Sequence, residues 1–395
     1  MMASLKKEAR NWKSYLPLLA VVGLALLVRF LLLPYTNYDT DGYSRWYDFI
    51  VRNGIGSALG QNFAIYTPPY LYLLSLGTLS RNVIPPIIAI KLIPIFFDLI
   101  NALLIYKTLR LKYRAGNLPL LASAVFLLAP TVVMNSALWG QVDSVYTCFL
   151  LVSLFLLLTD RPLPAMIAFG LALSIKAQAV FLGPFLLLMA LKKRIPWFAF
   201  GLVPVTYLAA MLPAVLAGRP VWDVLTVYLN QAAELKILSH NAPNWYIFVP
   251  QSTYSVAMPV GMLIAILVSV IWAYMHRKSV NTHDATLFAA LVSLALTPFL
   301  LPKMHDRYFY PADVVSILLA FFTPQMWFIP VCYQIISSLV YSIFLFETDR
   351  STMLILATQL NTIVIVYLLW KQFRFSRDVP NGQDPSVATE FPVGS

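Results

Sequence analysis

Long apolar runs separated by short polar loops dominate the chain. A membrane-spanning helix needs roughly 20 mostly apolar residues, and transmembrane strands, whose residues alternate, do not produce runs of that length. The pattern therefore predicts a bundle of about twelve transmembrane helices, several of them shorter than usual. They fall at about 15–34, 85–106, 118–135, 142–158, 162–176, 177–191, 195–217, 256–275, 284–301, 311–324, 326–346 and 352–370. Lys176 and Gln178 interrupt one apolar stretch, so the division within 162–191 is the least sharply marked.

Lysine and arginine residues predict the orientation of these helices. With twelve spans, 17 of the 28 basic residues fall on one side of the membrane. Loops rich in Lys and Arg stay in the cytoplasm, so we expect both termini there. The same rule accounts for most of the net charge of +11 without any nucleic-acid partner.

The composition excludes an ordinary soluble domain. Hydrophobic residues make up 59% of the 395 positions and charged residues 11%, with mean hydropathy +0.74, and two cysteines are too few for a disulfide scaffold. We therefore predict an all-α polytopic membrane protein, with one transmembrane domain over residues 1–375. The polar segment 376–395 is predicted to be a disordered cytoplasmic tail.

Two long segments lie on the predicted non-cytoplasmic side, at 35–84 and 218–255. Both are rich in aromatic residues and carry charges and prolines. Residues 41–53 have the pattern of an amphipathic helix lying at the membrane interface, and 68–80 could form a second short helix there.

Two carboxylates, Asp39 and Asp41, directly follow the first apolar run. In an extended stretch they point to opposite sides, so only one of them needs to face a substrate. Asp41 is well placed to cap the helix that follows it, because its carboxylate can accept a free backbone N–H. Asp39 has no such structural role and is the stronger candidate for chemistry. We expect it to face a cavity shared with His305 and Asp143.

The motif LWGQVDS places Trp139, Gln141 and Asp143 at the start of a predicted helix. A carboxylate in the first helical turn is favoured by the helix dipole, which is an adequate structural explanation for Asp143. An amide and a carboxylate beside an indole also suit sugar hydroxyls, which need donors and acceptors next to an aromatic surface.

A basic cluster lies on the predicted non-cytoplasmic side, although Lys and Arg are usually enriched in cytoplasmic loops. The motif LPKMHDRYFYP contains Lys303, His305, Arg307 and Tyr308, and Lys176 lies at a helix end on the same side. Arginine forms a forked contact with phosphate and lysine acts as a point charge, so anion binding is the natural explanation. Cys148 and Cys332 are isolated in apolar runs, and no residue pattern indicates a metal site.

Four of these motifs resemble the GT-C superfamily of multi-spanning glycosyltransferases. The segments DTDGYSRW at 39–46 and YTPPYLY at 66–72 are similar to the first luminal loop of dolichyl-phosphate-glucose-dependent glucosyltransferases. The segments WGQVDS at 139–144 and KMHDRYFYP at 303–311 resemble bacterial relatives of the second GPI mannosyltransferase. Where related loops often carry Glu, this chain has Asp41, which leaves the division of work between the two acids open.

The resemblance implies a GT-C-like fold and a polyprenyl-phosphate sugar as donor. It implies catalytic carboxylates at Asp39 and Asp41. The implied phosphate-binding residues are Lys303, His305, Arg307, Tyr308 and Lys176. The implied sugar- or acceptor-binding residues are Trp139, Gln141, Asp143, Arg45 and Tyr66. The implied partners are the donor, a lipid or glycan acceptor and membrane lipids, but no nucleic acid.

Two functions compete at this point. The first is an inverting transferase that moves a hexose, mannose or glucose, on the non-cytoplasmic face, with no cofactor except for the open alternative of a divalent metal. The second is a transporter or flippase of a lipid-linked sugar, which needs the anion contacts but no base. Non-cytoplasmic loops without an N-x-Ser/Thr sequon favour a bacterial inner membrane over the endoplasmic reticulum.

Overall fold

A computed structural model describes residues 16–234 and 236–377. The protein is 79% helical, with almost no strand, and the predicted all-α polytopic class is confirmed. Most of the predicted tail at 376–395 lies outside the described residues.

The described chain folds into helices of very different lengths. In chain order these are α1 (Leu16–Leu32), α2 (Tyr38–Asn53), α3 (Ile55–Leu59), α4 (Pro68–Thr78), α5 (Pro86–Leu109), α6 (Leu118–Leu128), α7 (Pro130–Val133), α8 (Asp143–Leu158), α9 (Pro162–Ile175), α10 (Gly183–Leu191), α11 (Leu202–Leu216), α12 (Val221–Glu234), α13 (Tyr254–Met275), α14 (His283–Leu300), α15 (Tyr310–Phe322), α16 (Phe328–Leu345) and α17 (Arg350–Arg377).

Shorter elements connect these helices. A π-helix follows α7 at Met134–Trp139, and 3₁₀ turns lie at Ala177–Leu182, Trp197–Gly201, Trp245–Phe248, Gln251–Thr253, Asp306–Phe309 and Pro324–Met326. Two short strands, β1 (Ser239–His240) and β2 (Met304–His305), pair in parallel.

A helix overlaps each of the twelve predicted apolar runs. Judged by length and composition among the described residues, six are sufficient to cross a membrane alone. These are Pro86–Leu109, Trp197–Leu216, Gln251–Met275, His283–Leu300, Pro324–Leu345 and Arg350–Arg374. A seventh span is possible if α6 and the segment Pro130–Trp139, bent by 52°, count as one. The total of twelve spans and their orientation stay predictions.

Proline causes the bend in that seventh span. Ala129, which precedes Pro130, adopts φ −58° and ψ 127°, outside the helical region. A proline ring disfavours the helical conformation of the residue before it and supplies no N–H. The bend carries the π-helix and Trp139 into the interior, where the WGQ motif follows.

A buried ion pair holds the π-helix in place. Arg29 of α1 contacts Asp98 of α5 at 2.9 Å (Nη2–Oδ2), and both side chains are almost fully buried. The Ser136 hydroxyl on the π-helix donates to the same carboxylate oxygen at 2.6 Å. The pair and the serine together link α1, α5 and the π-helix. Removing one partner of such a pair is costly, because it leaves an uncompensated buried charge.

The first long segment forms the predicted helices, with one correction. The first helix begins at Tyr38, and Asn37 is its N-cap; the assignment of Asp41 to that position is wrong. The Asn37 side-chain oxygen accepts from the backbone N–H groups of Asp39 and Thr40, both at 3.1 Å. The backbone N–H of Asn37 in turn donates to the Thr40 hydroxyl at 2.7 Å, completing a capping box. The second predicted helix is α4, which begins with Pro68 at a position that favours proline.

Labelling of introduced cysteines tests the orientation. After Cys148 and Cys332 are replaced by alanine, Arg52→Cys on α2 should react with a membrane-impermeant maleimide added outside intact cells. Arg114→Cys, in the loop between α5 and α6, should react only after the cells are permeabilised. The reverse pattern would contradict the predicted orientation.

Candidate active site

A cavity of 670 Å³ forms where the start of α2, the π-helix, the break at Lys176 and the 304–308 segment meet. Eight of the twelve residues predicted for the site line it. These are Asp39, Arg45, Tyr66, Trp139, Lys176, His305, Arg307 and Tyr308. Gln141 and Asp143 are fully buried and lie directly behind this lining. The expectation that Asp143 itself faces the cavity is therefore wrong.

Asp39 is held by two hydrogen bonds to one of its oxygens. Trp139 Nε1 donates to Asp39 Oδ2 at 2.8 Å, and Gln141 Nε2 donates to the same atom at 2.6 Å. Gln141 is oriented in turn by the Tyr43 hydroxyl, which donates to Gln141 Oε1 at 3.0 Å. Asp39 keeps 25% of its side chain exposed, and its Oδ1 makes no hydrogen bond to the described part of the chain. One oxygen is thus anchored while the other is available to a ligand.

Backbone geometry brings the two donors to Asp39. Gly140, between them, has φ +78°, a left-handed conformation that favours glycine. A Cβ there would meet the Thr40 methyl at 3.1 Å, so α2 packs closely against this turn. Asn37 Nδ2 donates to the Trp139 carbonyl at 3.2 Å, which fixes the start of α2 on the end of the π-helix.

Asp143 forms the base of a buried charge network. Lys176 Nζ donates to Asp143 Oδ1 at 2.5 Å, and Asn135 Nδ2 donates to Asp143 Oδ2 at 2.9 Å. Lys176 reaches this position because its backbone is extended, with φ −152° and ψ 133°, between α9 and the following 3₁₀ turn. The interruption predicted at Lys176 is confirmed, and it delivers a cation to the cavity wall.

Arg307 lies among three carboxylates without donating a hydrogen bond to any of them. Its guanidinium nitrogens are 3.9 Å from Asp39 Oδ2, 3.7 Å from Asp143 Oδ2 and 3.7 Å from Asp306 Oδ1. Within the described residues, the buried Nε has no hydrogen-bond partner. The guanidinium also lies over the Trp139 ring at 5.4 Å. The fork therefore has donors free for an incoming anion.

His305 is placed by pairing with a distant segment. His240 of β1 pairs with His305 of β2, and their rings stack at 4.4 Å with an interplanar angle of 8°. Burial lowers the pKa of His305 well below its usual value, and the neighbouring Arg307 and His240 lower it further. At neutral pH the ring is uncharged, so it can donate a hydrogen bond to a phosphate but adds no positive charge to the anion site.

Two further predicted residues, besides Gln141 and Asp143, do not line the cavity. The Lys303 backbone is left-handed at φ +64°, its ammonium donates to the carbonyl of Ala232, and the residue does not line the cavity. Asp41 is exposed and does not line the cavity, because it lies two residues past Asp39 on a helix and points in another direction. The structure therefore places neither residue where the predicted role requires it.

Several residues that line the cavity were not predicted from the sequence. Tyr228, Gln231, Glu234, His240 and Asn241 come from the second long segment, whose length and aromatic content were the available signal. Asp306 lies within the recognised motif, and burial raises the pKa of its carboxyl to about 7, although Arg307 opposes that rise.

A larger groove lies elsewhere in the described part of the chain. The groove, of 1010 Å³, is lined from α1, α6, α15 and α16 and contains no charged side chain, so it offers no acid–base chemistry. Residues 16–234 and 236–377 contain no group of three or more His, Cys, Asp or Glu side chains arranged to hold a metal.

The buried Lys176–Asp143 pair gives a stability prediction. Asp143→Asn should destabilise the protein by about 3–5 kcal/mol, because it leaves the Lys176 ammonium buried without its counter-charge. The double variant Asp143→Asn/Lys176→Met should recover most of that loss. Thermal unfolding in detergent measures both, and equal losses in the single and double variants would contradict the pairing.

A known protein family matches the segment that carries much of this site. The signature of glycosyltransferase family 87 matches residues 63–302, more than half of the chain. The match includes Tyr66, Trp139 and Lys176, while Asp39 precedes it and Arg307 follows it. No curated protein matches the chain. The chain belongs to glycosyltransferase family 87 and is a membrane glycosyltransferase.

Proposed function

We propose that the protein transfers a hexose, mannose or glucose, from a polyprenyl-phosphate donor to a hydroxyl of a lipid or glycan acceptor. The reaction takes place on the non-cytoplasmic face, in a bacterial inner membrane, with inversion at the anomeric carbon. The motif resemblances to bacterial relatives of the second GPI mannosyltransferase and to the glucosyltransferases of N-glycan assembly support this choice of donor. Membership in a glycosyltransferase family favours an enzyme over a flippase.

The hydrogen bonding of Asp39 carries the proposal. Its Oδ2 is occupied by Trp139 and Gln141, which leaves Oδ1 free to take a proton from an acceptor hydroxyl. A general base must come within about 2.6–3.2 Å of the proton donor, and a carboxylate with a fixed orientation meets that need. A flippase has no use for such a group.

Arg307 is placed to stabilise the negative charge of the leaving phosphate. The donor phosphate needs hydrogen bonds that strengthen as the leaving group gains charge, and the unfilled donors of Arg307 provide them. His305 and Tyr308 add neutral donors nearby. Lys176 contributes through its field, since its ammonium is already bound to Asp143.

The reaction is balanced without any further reagent. The acceptor oxygen forms a bond to the anomeric carbon while the bond from that carbon to the phosphate oxygen breaks. The phosphate leaves with the electron pair, and Asp39 receives the hydroxyl proton. Attack opposite the leaving group inverts the anomeric configuration, and because phosphate is a stable leaving group the donor needs no nucleotide. The polyprenyl chain stays in the bilayer, where each buried CH₂ contributes about 0.8 kcal/mol.

The two acids of α2 form a matched test. Asp39→Asn should lower kcat by about 10²–10⁴-fold with little change in donor affinity, because the amide keeps the shape but cannot act as the base. Asp41→Asn, on the same helix but exposed and outside the cavity, should be close to wild type. The assay uses the purified protein in nanodiscs with a panel of polyprenyl-phosphate hexoses and follows which donor is consumed.

Three results would contradict parts of the proposal. Loss of activity in Asp41→Asn alone would move the base to Asp41. Full activity of Asp39→Asn would remove general-base catalysis by this residue. Failure to bind or consume any donor of the panel would overturn the choice of polyprenyl-phosphate hexoses.

A further inference from the structure

A second, smaller cavity adjoins the active site. It measures 290 Å³ and shares Trp46, Gln231 and Glu234 with the larger one. Asn62 and Asn230 line the smaller cavity alone. At about 30 Å³ for each water it would hold roughly ten waters, which is enough room for one pyranose ring with its hydroxyls.

Two polar groups of this cavity, Asn62 and Gln231, are oriented by their neighbours. Arg219 Nη2 donates to Asn62 Oδ1 at 2.6 Å, which leaves the Asn62 amide N–H groups for a ligand. The Gln231 amide nitrogen donates to the Ile65 carbonyl, which leaves its oxygen as an acceptor. Asn230 is exposed and makes no side-chain hydrogen bond within the described residues. The oriented amides of Asn62 and Gln231 and the unbonded amide of Asn230, beside the Trp46 indole, match a sugar, which has an apolar ring face and polar edges.

The spacing along α2 connects the two cavities. Asp39 and Trp46 are seven residues apart, so they lie on the same side of the helix, about 10 Å from each other along its axis. That separation is close to two linked pyranose rings. A hydroxyl on one sugar can thus reach Asp39 while the next sugar of the same glycan lies at Trp46.

The helix that forms the far wall faces two environments. On α12 the side chains of Trp222, Leu225 and Leu229 are exposed by 72%, 40% and 69%, and Asn230 and Gln231 lie in the cavity wall. This pattern is typical of an amphipathic helix in the membrane interface, and it indicates a small cavity at the level of lipid head groups.

We infer that the smaller cavity is a subsite for a second sugar unit of the acceptor, and that the acceptor is a glycan of at least two sugars. The inference rests on the proposed transfer to a hydroxyl at Asp39. The position of α12 favours a lipid-anchored glycan, and a free oligosaccharide has the same ring chemistry.

Binding of octyl glycosides tests the subsite independently of transfer. Octyl monosaccharides and octyl disaccharides of mannose and of glucose are titrated into the protein in nanodiscs, and tryptophan fluorescence gives Kd. A disaccharide should bind at least about tenfold more tightly than its monosaccharide, as expected for one or two additional hydrogen bonds. The free disaccharide without the alkyl chain is the second arm, and weaker binding there assigns the ligand to a lipid anchor.

Three variants of α12 provide the matched comparison. Asn230→Ala should remove most of the preference for the disaccharide and leave monosaccharide binding unchanged. Thr226→Ala, one turn earlier on the same side of the helix and lining neither cavity, should keep the preference. Glu234→Gln provides a second loss without a change of size.

The outcomes separate this inference from the proposed function. Transfer from the donor with equal affinity for both glycosides would overturn the subsite and leave the transferase intact. Selective binding of the disaccharide without any transfer would support the subsite and contradict the proposed reaction. An equal effect of Asn230→Ala and Thr226→Ala would also overturn the subsite.

Discussion

The two hydrogen bonds that Trp139 and Gln141 donate to Asp39 are the interaction on which the rest of the site depends. They join the start of α2 to the end of the π-helix, across about 100 residues of sequence. The left-handed turn at Gly140 allows both donors to point at one oxygen. The buried Arg29–Asp98 pair holds the π-helix from the other side. Without this arrangement the carboxylate would be another exposed charge at a helix end.

The charged side chains of the cavity are arranged around Arg307. Asp39 and Asp143 face Arg307 from two sides, and Lys176 neutralises Asp143 through the short contact below the cavity. The Arg307 guanidinium is attracted by these carboxylates but bound by none of them, so it remains a receptor for an anion. The base and the anion receptor thus line the same cavity, where a donor phosphate and an acceptor hydroxyl can meet.

Features set by local sequence could be predicted, and features set by distant contacts could not. Apolar runs predicted a helix at each of the twelve positions, and the polar interruption at Lys176 predicted the break there. The capping of α2 by Asn37 was missed, because a favourable cap at Asp41 is equally consistent with the local pattern. The pairing of His240 with His305 and the outward turn of Lys303 depend on contacts between segments more than 60 residues apart. The hydrophobic periodicity of the sequence carries no information about contacts between such distant segments.

The most direct test of the account is a structure with a donor analogue that cannot be cleaved. A polyprenyl C-glycosyl phosphonate keeps the phosphate charge and the lipid chain but has no breakable bond to oxygen. The account predicts its phosphonate oxygens about 2.7–2.9 Å from the Arg307 guanidinium, with the anomeric carbon facing Asp39 Oδ1. A phosphonate bound at Lys303, or one beyond hydrogen-bond reach of Arg307, would contradict it.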